Sequence, residues 1–467
     1  MRILKFGGSS VGTPERLRAV AAIIQRARAE RGPIAVVVSA FQGVTDQLLT
    51  LAHQASHGDD YQPCFAELEQ RHLIAVKELL PVRRRSPVLT QVKLRLNELA
   101  DLLHGVFLIG ELSPRTQDAI AAFGERLSAS ILAAHLTGDG FPAECLDTRP
   151  LIRTDAHFGA ARVLNDETYP AIRAHFTHHP TLQIATGFIA ATARAETTTL
   201  GRGGSDYTAS LLGAALAAEE IEIWSDVDGV MSADPRKVLT AFPLPGLTYQ
   251  EAMELAHFGA KVIYPPTMRP AMRARIPIRI KNTLRPAAAG TVVWDRREPH
   301  AFPVTGLTSA GGIALLRLEG AGMIGVPGVA ARLFGALARR QISVILITQA
   351  SSEHTICFAV ASDAAQAAAE AIADEFAPEI QLGQIDTPAE PDQCAIIAAI
   401  GEGMRHRPGI AGTLFQALGA QGVNVVAIAQ GSSELNISAV VAQADETAAL
   451  RALHAAFFGP FPEELTS

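Results

Sequence analysis

Short runs rich in apolar residues alternate along this chain with longer stretches in which apolar residues recur every three or four positions. The runs "RILKF" (2–6), "IAVVVSA" (34–40), "TLQIATGFIA" (181–190), "IEIWSDV" (221–227) and "IPIRIKN" (276–282) predict strands, the second of the kind buried inside parallel sheets. "PERLRAVAAIIQRARAER" (14–31) has the helical period, with Thr13 as its N-cap and Pro14 at the first helical position. Residues 61–136 read as mostly helix, and "SDYTASLLGAALAAE" (205–219) as another helix. Arg83, Arg84 and Arg85, set between Pro81 and Pro87, read as a solvated turn.

The first forty residues spell strand, glycine loop, helix, strand, which is a βαβ unit. Ligands of such units bind beyond the carboxyl ends of the strands. Lys5, Gly7, Gly8, Ser9 and Ser39 fall at or near that edge. A second glycine cluster, "GRGGSD" (201–206), leads from a loop into a helix N-terminus, where unpaired N–H groups and the helix dipole favour an anion. It is not a Walker A loop, because no Gly-Lys-Ser/Thr follows, and its spacing is not that of the dinucleotide fingerprint.

Beyond residue 320 the chain repeats itself. "GMIGVPGVAARLFGALARRQISVILITQASSEHTICFAV" from Gly322 aligns without a gap on "GMRHRPGIAGTLFQALGAQGVNVVAIAQGSSELNISAVV" from Gly403, an offset of 81. Pro327-Gly328 matches Pro408-Gly409, Phe334 matches Phe415, and Gln349 matches Gln430. Each copy reads strand, Pro-Gly turn, amphipathic helix, strand, turn, strand, the pattern of a small βαββ module.

Composition narrows the class. The chain has 467 residues, enough for two to four domains. Apolar residues make up 48% and charged residues 19%, so long disordered tails are not expected. A net charge of −7 without a basic stripe argues against a nucleic-acid partner. Cys64, Cys145, Cys357 and Cys394 are widely spaced, which fits reduced thiols better than a zinc site or a disulfide framework. No leader peptide and no membrane-length apolar run is read, so a cytoplasmic protein with no membrane partner is expected.

With these pieces in place, the chain resembles the aspartokinases over nearly its whole length. "KFGGSSV" (5–11), "VVVSAFQGVTDQLL" (36–49), "TLGRGGSDYTA" (199–209), "WSDVDGVMSADPR" (224–236), "YQEAMELAHFGAKVIYPPT" (249–267) and "IKNT" (280–283) occur in the family's order. The resemblance implies an α/β amino-acid kinase fold, an αβα sandwich with a mainly parallel sheet, over 1–296. It implies a linker at 297–310 and two α+β ACT regulatory modules of βαββ type. The first would span 311–390, completed by 444–467, and the second 391–443. The repeats look most like the aspartokinase half of bifunctional aspartokinase–homoserine dehydrogenases, and the dehydrogenase activity is not expected in this chain.

The implied reaction is phosphoryl transfer from ATP, as its Mg²⁺ complex, to the β-carboxylate of L-aspartate. That carboxylate is ionised at neutral pH, with a reference pKa of about 3.9, so no general base is needed. The site must neutralise charge and align two anions. By resemblance Lys5 and Asp206 organise the transfer, and Gly7, Gly8 and Ser9 approach the phosphates. Arg202 grips a substrate carboxylate with help from Ser205, and Glu125 pairs with the substrate ammonium, Glu111 being the other acid considered. Thr45 and Ser39 hydrogen-bond the aspartate. Ser225, Asp226, Met231, Arg236 and Lys261 are implied at the nucleotide. The chain departs from the family pattern at Met231, where Tyr is usual, at Ser225, where Thr is usual, and at Ala190, where Gly is common.

The resemblance further implies feedback by an amino acid at the repeats, threonine first and lysine second, with Gln349, Asn424 and Gln430 as its contacts. It implies a homo-oligomer, at least a dimer. Two other readings compete: a kinase of the same fold acting on glutamate or acetylglutamate, and a non-catalytic amino-acid sensor. A subunit working beside a separate dehydrogenase is also compatible with the sequence.

Overall fold

The computed structural model describes residues 1–259, 264–296, 302–349, 354–387 and 392–459, and the chain divides into two compact units. The first comprises Met1–Val230, Pro245–Tyr249 and Val262–Arg296. Its strands are β1 (Arg2–Phe6), β2 (Ile34–Val38), β3 (Ala143–Leu146), β4 (Arg153–Thr154), β5 (Leu182–Thr186), β6 (Ile189–Thr192), β7 (Thr197–Thr199), β8 (Glu220–Ser225), β9 (Gly246–Thr248), β10 (Ile278–Asn282) and β11 (Thr291–Trp294). Eight of them form one sheet in the order β3-β5-β2-β1-β8-β10-β11-β9, parallel throughout except for the β10–β11 pair. The strands β4, β6 and β7 form a separate small sheet.

The continuous apolar reading of β2 follows from burial on both faces; every residue of β1 and β2 is buried, Arg2 and Lys5 included. On one face, helices Pro14–Arg31, Val44–His57, Val82–Ile109 and Phe123–Gly138 close the main core around Leu4, Phe6, Val36 and Val38. On the other face lies helix Gly204–Ala215. It comes so close that a Cβ on Gly213 would meet Ile221 Cδ1 at 2.6 Å. This is the layered architecture expected of an αβα sandwich.

Several expectations are corrected by packing. Arg83–Arg85 lie inside the helix Val82–Ile109, which Pro81 precedes in an extended conformation. Pro87 lies inside the helix, past its first turn, and removes the hydrogen bond that an N–H there would make to the Arg83 carbonyl. The single strand read at 181–190 is broken. The chain turns at Gly187 and Phe188, the latter with φ of 66°, and continues in another sheet as β6. A Cβ on Gly187 would stand 2.6 Å from Ser205 Cβ, so the break makes room for the start of helix Gly204–Ala215.

The second unit comprises Met231–Leu244, Gln250–Lys261 and Arg297–Ser467. Its strands are β12 (Gly306–Glu319), β13 (Leu346–Gln349), β14 (Thr355–Ala361), β15 (Asp392–Ile400), β16 (Val425–Gln430) and β17 (Asn436–Ala442). They form one sheet in the order β13-β14-β12-β15-β17-β16. The offset of 81 holds in space. Helix Val329–Arg339 matches Ile410–Ala420, β14 matches β17, and helix Ala365–Glu375 matches the start of Glu446–Phe458.

That match corrects two boundaries. The tail does not complete the first repeat. Leu450, Leu453 and Phe457 pack with Leu414, Leu418 and Ile437 in the core of the second repeat. The first repeat has its own core around Leu333, Phe358, Ala368 and Ile372. Nor is 297–310 wholly a linker, because residues 306–310 are the first half of β12 and pair with β15. A bulge between Ala310 and Ile313 lets the one strand serve both repeats.

Candidate functional site

At the carboxyl ends of β1, β2 and β5 lies a cleft of about 390 Å³. It is lined by both glycine segments, and it gathers most of the residues picked out from the sequence: Lys5, Gly8, Ser9, Ser39, Thr45, Glu125, Arg202, Ser205 and Asp206.

Lys5 projects from the penultimate position of β1 and is buried. Its Nζ stands 2.6 Å from Asp206 Oδ1. Asp206 comes from the first turn of helix Gly204–Ala215, where the helix dipole favours a carboxylate. The contact is an ion pair rather than a well-directed hydrogen bond. Gly203, the N-cap of that helix, has φ of 70°, which a side chain would strain.

Gly7 donates its N–H to the Trp224 carbonyl at 3.0 Å, and Ser39 donates its N–H to the Phe6 carbonyl at 3.1 Å. These two bonds tie the ends of β1, β2 and β8 together. A Cβ on Gly8 would approach the Ala40 carbonyl oxygen to 3.0 Å, so the glycine keeps the short helix Gly8–Val11 tight against the β2 end.

Glu125 enters from the first turn of helix Phe123–Gly138 and is 2% exposed. Its Oε1 accepts from the Ala40 N–H at 3.1 Å, while Oε2 has no partner among the described residues. Burial pushes its carboxyl up to about 8; the Ala40 N–H and the charge of Lys5 pull only partly the other way. The competing acid, Glu111, is exposed and does not line the cleft. Ser128 donates to the Ser39 carbonyl at 2.7 Å, fixing the β2 end over Glu125.

Arg202 is exposed, with its guanidinium carbon 5.9 Å from the Tyr264 ring centroid and no ion-pair partner among the described residues. A cation held on an aromatic face and left without a carboxylate is available to an anionic ligand.

Other expected residues lie outside this cleft. Gly7 does not line it, although a Cβ there would come within 3.6 Å of Lys5 Nζ. Ser225 ends β8, its carbonyl accepting from the Thr283 N–H at 2.8 Å, and Asp226 is exposed beside it. Met231 and Arg236 belong to the second unit, and Arg236, 86% exposed at its side chain, is paired with Asp234 at 2.7 Å. Lys261 lies outside the described residues. Gln349 and Gln430 occupy matching ends of β13 and β16, the two outermost strands of their sheet, and Asn424 immediately precedes β16; all three are exposed.

Other residues in or beside the cleft were not expected, among them Phe188, Gln42 and Asp118. Phe188 and Gln42 line it. Asp118, buried in helix Pro114–Ala121, accepts from the Thr199 N–H at 2.9 Å, the Thr199 hydroxyl at 2.7 Å and the Gly159 N–H at 2.9 Å. It thus anchors the chain two residues before Gly201. Nothing local marked Phe188, which stands within a run read as one strand, and an acid on a helix gave no sign of Asp118's role.

Among the described residues no group of three or more His, Cys, Asp or Glu side chains is arranged to hold a metal ion, and no helix is long and apolar enough to cross a membrane. The four cysteines are free thiols.

Comparison with known proteins covers nearly all of the chain. The model of the amino acid kinase family matches residues 1–282, and that of an ACT domain matches 316–376 and again 397–457. The chain is 38% identical to bifunctional aspartokinase/homoserine dehydrogenase 2, chloroplastic, of Arabidopsis thaliana, over 97% of this chain and 50% of that protein. It therefore spans about half the length of the bifunctional relatives it matches. It is 36% identical to aspartokinase 1, chloroplastic, of the same plant, over 98% of this chain and 80% of that one. Two structures of E. coli aspartokinase III, one with aspartate and ADP (R-state) and one with lysine and aspartate (T-state), superpose with TM-scores of 0.80 and 0.78. Both are 28% identical and cover 98% of this chain, and this chain covers 100% and 99% of theirs.

Proposed function

Because the chain belongs to the aspartokinase family, we propose that it transfers the γ-phosphoryl group of ATP to the β-carboxylate of L-aspartate, giving 4-phospho-L-aspartate and ADP. The observation that carries the reading is the Lys5–Asp206 pair at 2.6 Å, set between two glycine segments in one cleft.

The chemistry follows from charge. An anionic carboxylate must approach an anionic phosphoryl group, so the site supplies positive charge and alignment rather than a base. Lys5 offsets the charge that develops on the transferring group. Asp206 holds the ammonium in place while the cleft is empty and keeps it directed when ATP arrives with its Mg²⁺. The backbone at Gly7, Gly8 and Ser9 approaches the phosphates. Ser225 and Asp226, one strand away from β1's carboxyl end, serve the nucleotide.

Arg202 takes a carboxylate of aspartate as a forked ion pair, and Ser205 donates to the same group. The unpartnered Oε2 of Glu125 receives the substrate ammonium. Ser39 and Thr45 complete the aspartate contacts. A buried carboxyl with one free oxygen suits an amino acid better than a substrate lacking the ammonium, because the arriving cation repays the cost of ionising it.

Regulation is proposed at the two repeats. An amino acid, threonine in the first place and lysine in the second, binds with Gln349, Asn424 and Gln430 as its polar contacts, in a homo-oligomer of at least two chains. It inhibits by binding the inactive state more tightly than the active one. The exposed amides at the ends of the two outermost strands support this reading.

Formation of aspartyl hydroxamate from L-aspartate, Mg-ATP and hydroxylamine tests the catalytic reading. Product from L-glutamate and none from L-aspartate would transfer the reading to another carboxylate kinase.

A further inference from the structure

A second cavity, of about 380 Å³, opens on the face of the large sheet beneath helix Pro14–Arg31. It lies away from the glycine-lined cleft, and no lining residue is shared between the two. Its floor is built by register. Arg2 stands opposite Glu220, while Glu222 pairs with Arg279 and Trp224 with Lys281, so all six share one sheet face.

Charged side chains on a covered sheet face are costly unless paired. Here both acids of the floor are ion-paired. Glu222 is ion-paired with Arg2 through Oε1 and accepts the Trp224 indole N–H at 2.9 Å through Oε2. Glu220 is paired with Arg279 at 2.8 Å. The cations are not all used. Lys281 has its ammonium 4.7 Å from the Trp224 ring centroid and no carboxylate partner among the described residues. Arg2, only 5% exposed, donates through Nη2 to the Ala27 carbonyl at 2.8 Å but leaves Nε without a partner. Arg26, on the rim, has no ion pair among the described residues. Burial pushes the Lys281 ammonium downward, a cost that a bound anion would remove.

Four cations and three acids line the cavity, counting Arg2, Arg26, Arg279 and Lys281 against Glu30, Glu220 and Glu222. We propose that this cavity is a binding site for a small oxyanion, a carboxylate or phosphate group, held by Lys281 and Arg26. The site is independent of the kinase reading. It stands one residue from the glycine loop, because the Trp224 carbonyl accepts from the Gly7 N–H at 3.0 Å and the Ser10 hydroxyl at 3.2 Å.

Trp224 is the reporter. The chain has two tryptophans, so Trp294→Phe leaves Trp224 alone. The full chain carrying that change is titrated with inorganic phosphate and, separately, with succinate, against chloride at equal ionic strength. The expected result is a saturable change in tryptophan fluorescence with at least one of the two, and the more effective probe identifies the oxyanion. Lys281→Gln should weaken the apparent affinity by about tenfold or more, the worth of one charge-assisted hydrogen bond. Arg26→Gln, on the exposed rim, should weaken it in the same direction and serves if Lys281→Gln does not fold. Arg202→Ala should leave it unchanged. No saturable response to either probe would overturn the site. So would a response that survives both cation substitutions, or one that Arg202→Ala abolishes, since the anion would then sit in the glycine-lined cleft.

Discussion

Glu125 accepts a hydrogen bond from the Ala40 N–H with one carboxyl oxygen, at 3.1 Å, and leaves the other unpartnered in the wall of the cleft. Two expectations follow from this half-satisfied acid.

The first concerns substrate binding. With its carboxyl pushed up to about 8, Glu125 is largely protonated at neutral pH in the empty cleft and must lose that proton to pair with an ammonium. KM for aspartate should therefore fall as pH rises, by up to about tenfold per unit, and level off above about 8. Glu125→Gln should raise KM and flatten the profile. A steady-state pH series on both proteins checks this.

The second concerns stability. The folded-state value lies above the ordinary one of 4.5, so between pH 4.5 and about 8 the folded chain binds more protons than the unfolded chain. Stability from this group is present at low pH and is lost as pH rises through that window. The full span is about 3–5 kcal/mol. Thermal unfolding of Glu125→Gln should accordingly gain on the parent as pH rises from 5 to 8, and show little difference at pH 4.

Asp118 accepts three hydrogen bonds from Thr199 and Gly159. Asp118→Ala leaves the buried donors unmet and should cost about 2–4 kcal/mol in denaturant unfolding. Because Thr199 leads directly into the Gly201–Asp206 segment, a folded Asp118→Asn protein should lose kcat/KM for aspartate more than it loses stability. Activity equal to the parent would limit Asp118 to a structural role.

Gln430 ends an outermost strand of its sheet with its side chain exposed, as Gln349 does in the first repeat. Gln430→Ala should shift the half-inhibitory threonine concentration upward by about tenfold, within the usual range of allosteric coupling, with kcat little changed. An unshifted inhibition curve would move the effector site elsewhere.

Much of this arrangement was legible in the residues because local chemistry and tertiary position agree. The β1 run ending in Gly7-Gly8, the Thr13 cap that accepts from the Arg16 N–H, and the repeat at an offset of 81 all keep their places in the fold. Lys5 and Asp206, some two hundred positions apart, meet because each ends or begins an element at the same sheet edge. What was not legible depends on packing across the chain. The break at Gly187–Phe188 answers to the approach of Ser205, which no local pattern encodes. The assignment of helix Glu446–Phe458 to the second repeat rests on its contacts with Leu414 and Leu418. The arginines at 83–85 looked like a turn because two prolines flank them, yet the helix begins directly after Pro81 and runs on through Pro87.

The most direct measurement is hydroxamate formation from L-aspartate and Mg-ATP by the parent chain, Lys5→Ala and Asp206→Asn, each checked for folding by circular dichroism. The account predicts aspartate-dependent turnover by the parent. It predicts a fall in kcat of about a hundredfold or more in Lys5→Ala, the scale on which removing one electrostatic contact from a transition state is felt, and a smaller but clear fall in Asp206→Asn. Near-normal turnover by a folded Lys5→Ala protein would contradict it.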